Sequence, residues 1–213
     1  MLEWITRLTH KVENQAAQSE SIFRIASHYY RDIIEKEAVL ANIASTDNIL
    51  CIGGGICPFS AILLHELTKA KVTVIDNNNI CIPKAQQIID RLDAREYVRV
   101  FWGEGGSADL PFEQYSIIHI ALQVSPMESV FLRAEKQAAP GTKFLIRRPR
   151  KQLDGIYSNL PSDLLDGCPY TAHKSARNIG STLLYIKQEC EHEDKMAAGS
   201  TSDSVFSSHP LAV

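Results

Sequence analysis

The sequence predicts an α/β fold, a mostly parallel sheet with helices on both faces and a ligand crevice at the carboxyl ends of its strands. Three observations predict it. The apolar run Ile49-Leu50-Cys51-Ile52 leads directly into Gly53-Gly54-Gly55 and then Pro58, which reads as strand, turn and helix start. A second run, Lys71-Val72-Thr73-Val74-Ile75, ends on the acid Asp76, about 20 residues past the first glycine. Beyond it, strand and helix patterns alternate as far as Arg147, and such alternation builds parallel strands joined by crossover helices.

Ahead of the first strand, Ile22, Ile25, Ala26, Tyr29, Tyr30, Ile33 and Ile34 recur at helical spacing, so two or three helices are expected to form a cap or lid over residues 1–45. At the glycines, the missing Cβ atoms permit positive φ and let a ligand come close. The helix that follows would offer unpaired N–H groups and a positive dipole end, and Pro58 suits its first turn, where a missing N–H costs nothing. That helix is expected from Pro58 to Leu67, and a second, amphipathic one from Ile80 to Leu92. Val98 to Trp102 reads as the third strand and Tyr115 to Leu122 as the fourth. Met127 to Ala138 reads as a helix, and Thr142 to Arg147 as a fifth strand entered through Pro140-Gly141. Pro161, Gly167, Pro169 and Gly180 punctuate the last third, where Ser181 to Lys187 reads as a strand and an antiparallel hairpin is expected to close the sheet. The ligand-binding domain thus spans 46–190. Residues 191–213 are polar and Ser/Ala-rich, the composition of a mobile tail unless it packs against this subunit or a neighbour, which leaves a homo-oligomer open.

With 213 residues and 45% hydrophobic content the chain can bury a full core, yet no apolar run approaches membrane-spanning length. The opening Met1-Leu2-Glu3-Trp4-Ile5-Thr6-Arg7 carries an early acid and lacks a signal-peptide pattern. The expectation is a soluble cytoplasmic protein with no membrane partner. Cys51, Cys57, Cys81, Cys168 and Cys190 form no C-x-x-C pair, which suits reduced core thiols, and no structural metal is expected. A net charge of −3 gives no general attraction to phosphate backbones, so a small molecule is the expected partner and nucleic acid is not.

Each half of the glycine and acid pair has an ordinary reading, a bare turn for one and a helix cap before Asn77-Asn78-Asn79 for the other. Together they place a carboxylate beside a Cβ-free turn, the arrangement that holds a ribose. A nicotinamide fingerprint needs glycine at the sixth position, where this chain has Pro58, so hydride chemistry is disfavoured. The G-x-G-x-G turn of S-adenosylmethionine enzymes fits better, with Gly53, Gly55 and then Cys57. Cys51 stands where such enzymes usually carry an acid, two positions before the first glycine.

Ile52-Gly53-Gly54-Gly55 through Pro58-Phe59, with Ile62-Leu63-Leu64, resembles the nicotianamine synthase family, especially its short archaeal and bacterial members. The resemblance continues at Val72 to Asp76, Gly103-Glu104, Val130-Phe131, Ile146-Arg147, and Asn178 with Ser181-Thr182, covering roughly Asn48 to Ile186. It implies the Rossmann-like class I methyltransferase fold with S-adenosylmethionine as co-substrate. It also implies transfer of the aminocarboxypropyl arm to an amine, with release of methylthioadenosine. The family's proton-accepting glutamate lies N-terminal to the glycine turn, where Glu13, Glu20, Glu35 and Glu37 are available.

The expected cofactor contacts are Gly53, Gly54 and Gly55 toward the methionine and ribose portion, and Asp76 with neighbouring Asn77 toward the ribose hydroxyls. Gly103 and Glu104 are expected at the adenine edge, and Trp102, after Phe101, as apolar cover for adenine or an ordinary strand-end aromatic. Ala121 and Leu122 close the fourth strand, facing the transferred group or simply filling core. Arg147 opens the basic run Arg147, Arg148, Arg150, Lys151; its guanidinium fork suits a substrate carboxylate, while the run as a whole reads as a solvated patch. Tyr30, next to Tyr29 on the lid helix, lines the substrate entrance or packs in the core. His119 reads as a hydrogen-bonded core histidine. A sulfonium has three attached carbons, and the pocket's alignment decides which is attacked, so three functions stay open: aminocarboxypropyl transfer to a small amine or amino acid, methyl transfer, and a non-catalytic S-adenosylmethionine-binding module.

Overall fold

A computed structural model describes residues 20–105, 110–161, 164, 166–174 and 178–189. Its strands are β1 (Asn48–Ile52), β2 (Lys71–Asp76), β3 (Val98–Trp102), β4 (Ile117–Ile120), β5 (Lys143–Pro149), β6 (Tyr170–Ala172) and β7 (Ile179–Ile186). Its helices are α1 (Glu20–Leu40), α2 (Phe59–Thr68), α3 (Cys81–Arg91) and α4 (Met127–Gln137). The strands form one sheet in the order β3-β2-β1-β4-β5-β7-β6. β1 to β5 pair in parallel, β7 runs antiparallel to β5, and β6 antiparallel to β7.

Alternation along each strand feeds two cores, because successive side chains point to opposite faces. Leu50, Ile52, Ile118, Ile120, Phe144 and Ile146 pack with Met127, Val130, Phe131 and Ala134 of α4. Ile49, Cys51, Val72, Val74, Ile117 and Leu145 pack on the other face with α1, α2 and α3 through Ile34, Ala61, Leu64, Ala85 and Ile89. Burial on both sides explains why β1 and β4 read as near-continuous apolar runs. The order reverses between β1 and β4, and a parallel sheet opens its ligand crevice at the carboxyl ends of such a switch.

Differences from the expected elements have local causes. β4 is shorter than Tyr115 to Leu122 because Tyr115 closes the 3₁₀ turn Phe112–Gln114 and the chain turns again after Ile120, with Val124 N–H donating to Ala121 O at 3.2 Å. β5 extends past Arg147 to Pro149, with an irregularity at Arg148/Pro149 opposite β7. A Cβ on Gly180 would lie 2.7 Å from the Arg150 Cα, so only glycine lets β7 pass this bend. One of the expected N-terminal helices is present as α1; residues 1–19, Cys190 and the 191–213 tail lie outside the described residues. No described helix is long and apolar enough to cross a membrane.

Candidate functional site

The turn after β1 is held tightly to β2. Gly53 N–H and Gly54 N–H both donate to Ile75 O, at 2.9 and 3.4 Å, and Gly55 N–H donates to Asp76 Oδ2 at 2.7 Å. φ is +86° at Gly53 and +62° at Gly55, values that glycine adopts freely. A Cβ on Gly54 would stand 2.2 Å from Val74 Cγ1, and one on Gly53 would meet Val124 Cγ2 at 2.9 Å and the Ala121 Cβ at 3.3 Å. The three glycine amides are thus committed to β2. The turn presents a Cβ-free backbone surface, with Gly53 exposed at its tip. Pro58 sits just before α2, and its carbonyl accepts the first helical bond, from Ile62 N–H at 3.1 Å.

Asp76 ends β2 and does not cap α3, whose N-cap is Ile80 without a side-chain bond. Its Oδ1 accepts from Asn78 N–H at 2.9 Å, while Oδ2 holds Gly55. A carboxylate has about four acceptor positions, so two remain for hydroxyls brought into the crevice. Gly103 N–H donates to Asp76 O at 3.1 Å, drawing the loop after β3 to the same edge with exposed Glu104. Trp102 is 62% exposed and Phe101 52%, and the Trp102 indole N–H donates to Asn77 O at 3.2 Å. That bond fixes the indole and joins Asn77 to the β3 side. Across the crevice, Ala121 N–H is anchored to Ile52 O at 3.1 Å, and Leu122 is buried against Ile33, Ile179, Tyr30 and Tyr157. Gly53, Gly54, Gly55, Asp76, Asn77, Trp102, Gly103, Glu104 and Ala121 therefore share one edge, whereas Leu122 is core.

Arg147 is not on the surface. It is 3% exposed, with Nε 2.8 Å from Glu37 Oε1 and Nη2 2.9 Å from Glu37 Oε2, a two-toothed pair. Its Nη1 donates to Ser60 Oγ at 2.9 Å, in the first turn of α2. Glu37 is fully buried and also accepts from Thr182 Oγ1 at 2.6 Å and lies 3.3 Å from His119 Nε2. Because the Thr182 hydroxyl donates to Glu37, the His173 Nε2 at 2.9 Å donates to Thr182 Oγ1. Register explains the meeting: Cys51, His119 and Leu145 are aligned across β1, β4 and β5, Arg147 lies two residues on, and Thr182 is its partner on β7.

Electrostatics follow from this packing. Burial pushes the Glu37 carboxyl up, but Arg147 and His119 together outweigh it and hold the group well below the carboxylate range. Burial and then Arg147 lower His119 below its ordinary 6.5 against the pull of Glu37, so the ring is neutral near pH 7. Burial pushes the Cys51 thiol up to about 12, which makes it inert. His119 is thus the hydrogen-bonded core histidine its strand context indicates.

Tyr30 is half-buried above this network. The Arg147 Cζ lies 6.0 Å from its ring centroid, Phe59 stacks on it at 5.3 Å, and Tyr29 meets it edge-on at 5.0 Å. Tyr157 adds a third phenol beside Leu122, its pKa raised by burial and by Tyr29. Sequence reasoning missed Tyr157, which follows an irregular segment. It also left Glu37 undistinguished among four glutamates, although Ile33, Ile34, Glu37 and Ala41 share one helical stripe. An acid on an apolar stripe was the available signal. Glu35 is exposed on the opposite side of α1; Glu13 lies outside the described residues, as does the placement of the Glu20 side chain. No cluster among the described residues could hold a metal ion.

No protein family's sequence profile matches this chain, and no curated protein matches it either. Solved structures do. A mutant of MtNAS, a nicotianamine synthase, in complex with S-adenosylmethionine superposes with a TM-score of 0.73 at 19% identity over 88% of this chain and 76% of that one. MtNAS in complex with MTA and tNA gives 0.71, also at 19% identity, over 88% and 74%. An RNA methyltransferase from Salinibacter ruber, in complex with S-adenosyl-L-homocysteine, gives 0.58 at 14% identity over 76% and 95%. What these proteins share with this chain is the fold, the Rossmann-like class I methyltransferase fold expected from the sequence.

Proposed function

We propose that this protein is an S-adenosylmethionine-dependent transferase acting on a small amine or amino acid, with nicotianamine-synthase-like aminocarboxypropyl transfer ahead of methyl transfer. The observation that carries the reading is the join between the glycine turn and Asp76. A Cβ-free backbone at the switch point of the sheet and a half-satisfied carboxylate at the neighbouring strand end meet through the 2.7 Å bond from Gly55. Sugar hydroxyls suit the two acceptor positions left on Asp76, and the exposed faces of Phe101 and Trp102 suit a purine. Bound S-adenosylmethionine supplies an electrophilic carbon on a positive sulfur. The chain's own part is to orient it, exclude water and place the acceptor in line.

On the acceptor side, Tyr30 and Tyr157 stand beside Leu122, with Tyr29 edge-on to Tyr30, next to the Ala121 that faces Gly53. Phenol rings with one polar end suit an amine carried on an apolar stem. The basic run does not make a surface patch: Arg147 is buried, Arg148 and Arg150 are half-buried and Lys151 is exposed. This supports a small-molecule acceptor over nucleic acid. Both MtNAS and the Salinibacter ruber methyltransferase have this fold, so methyl transfer is the second reading. Incubation with S-adenosylmethionine and a panel of amines and amino acids, followed by mass spectrometry of the sulfur product, separates them. Methylthioadenosine supports arm transfer and S-adenosylhomocysteine supports methylation. No product with any acceptor leaves a binding module and refutes the transferase.

A further inference from the structure

Read from the sequence, Glu37 is a candidate proton acceptor and Arg147 a candidate carboxylate binder; the fold spends each on the other. Both oxygens of Glu37 are filled, Oε1 by Arg147 Nε and Thr182 Oγ1, Oε2 by Arg147 Nη2 and His119 Nε2. Four partners exhaust the acceptor positions of a carboxylate, so no lone pair faces an incoming amine. The guanidinium has both fork arms on Glu37 and its third nitrogen on Ser60. At 3% exposure it meets no substrate carboxylate.

The five groups come from five different elements: Glu37 from α1, Ser60 from α2, His119 from β4, Arg147 from β5 and Thr182 from β7. Further polar contacts of α1 and the residue after it lie away from the core: Lys143 Nζ donates to Ala41 O at 2.7 Å, Lys36 Nζ to Ala172 O at 3.1 Å, and Arg31 pairs with Glu66 in solvent. The Glu37 pair reaches through the core to the first turn of α2, the turn that follows the glycines, and does so by charged hydrogen bonds where the Tyr30–Phe59 stack does so by ring contact. Tyr30 lies about two helical turns before Glu37 on the same helix, and its ring is held between Arg147 and the Phe59 that begins α2.

We propose that Glu37 and Arg147 form a latch that fixes α1 against the first turn of α2 and thereby sets the shape of the crevice. Both are positioning residues for S-adenosylmethionine binding and neither touches the ligand; this rests on the reading of the crevice given above. Thermal unfolding without ligand, and calorimetric titration with S-adenosylmethionine at a temperature where circular dichroism shows every variant folded, test it. The variants are Glu37→Gln, Arg147→Lys and the double Glu37→Met/Arg147→Met.

Glu37→Gln is expected to lower the midpoint most, because it strands a buried guanidinium. The double variant regains part of the loss, since no charge is left buried without its partner, while Thr182, His119 and Ser60 each lose a hydrogen-bond partner. Affinity for S-adenosylmethionine falls about tenfold in Arg147→Lys and in the double variant, because neither retains the arm to Ser60. That loss in a folded protein with no stranded charge is what a merely structural ion pair would not produce. A double variant as stable and as tight-binding as wild type overturns the proposal, and so does Glu37→Gln with an unchanged midpoint. Glu37→Gln that binds normally and loses only product formation returns the proton-acceptor role to Glu37 and also overturns it. Wild-type protein giving no heat with S-adenosylmethionine refutes the crevice reading instead. The latch is then decided by hydrogen exchange along α1: faster exchange in Glu37→Gln than in wild type upholds it, and equal exchange overturns it.

Discussion

On the β1–β2 side of the sheet's carboxyl edge, order comes from the main chain: three glycine amides, one half-exposed carboxylate and a turn with no room for side chains. On the β4–β5–β7 side it comes from side chains, a buried ion pair filled out by a histidine, a threonine and a serine. The first side is open, with Gly53 and Trp102 exposed; the second is closed and satisfied, with the tyrosines lying over it. A crevice between them has one wall specified by backbone conformation and the other by electrostatics, and the two walls should fail differently.

The largest effect is expected on the closed side. Arg147→Met leaves a carboxylate buried without its partner, a loss of about 3–5 kcal/mol, read as a shifted midpoint in urea unfolding with little change in slope. Next comes Gly54→Ala on the open side. Its new Cβ falls on Val74, a fully buried residue, and overpacking of this kind costs about 1–3 kcal/mol. Its signature differs, because S-adenosylmethionine affinity should drop even where the protein remains folded, while Gly155→Ala, with open space around its Cβ, changes neither quantity.

The two walls were unequally legible in the sequence. Glycine identity and the spacing to Asp76 are local signals, so the turn, β1, α2 and β2 could be read from consecutive residues. The Glu37–Arg147 pair spans 110 positions, and nothing in either neighbourhood fixes a partner that far away. Partial signals existed, since Glu37 lies on the stripe of Ile33, Ile34 and Ala41, and His119 interrupts an all-apolar strand. An alternating polar residue on a buried face implies a partner without naming it. The short edge strand β6 was foreseen only as part of a closing hairpin, because its three residues, Tyr170–Ala172, carry no period long enough to read.

A smaller effect separates the walls by pH. Glu37 is held below its ordinary 4.5 and His119 below its ordinary 6.5. In both cases the unfolded chain binds more protons than the folded one just under the ordinary value, so stability is full above it and falls as pH drops. The loss begins near 6.5 through His119 and steepens below 4.5 through Glu37. Thermal midpoints from about pH 8 down to about pH 4 should show two stages in wild type, and His119→Gln should flatten the first while leaving the second. The smallest effect is expected for Asp76→Asn. Its amide keeps an oxygen for Gly55 but loses acceptor capacity, so the midpoint moves little, whereas Asp76→Ala frees two backbone N–H groups, each worth about 1 kcal/mol.

On the proposed function, the bend at positions 53–55, together with Asp76, receives S-adenosylmethionine. Amide NMR of ¹⁵N-labelled protein titrated with this compound tests it most directly. Saturable shifts are expected to concentrate at Gly53, Gly54, Gly55, Asp76, Asn77 and Gly103, with β6 unmoved at Tyr170 to Ala172. A spectrum that stays unchanged, or one whose shifts gather away from the glycine turn, would contradict it.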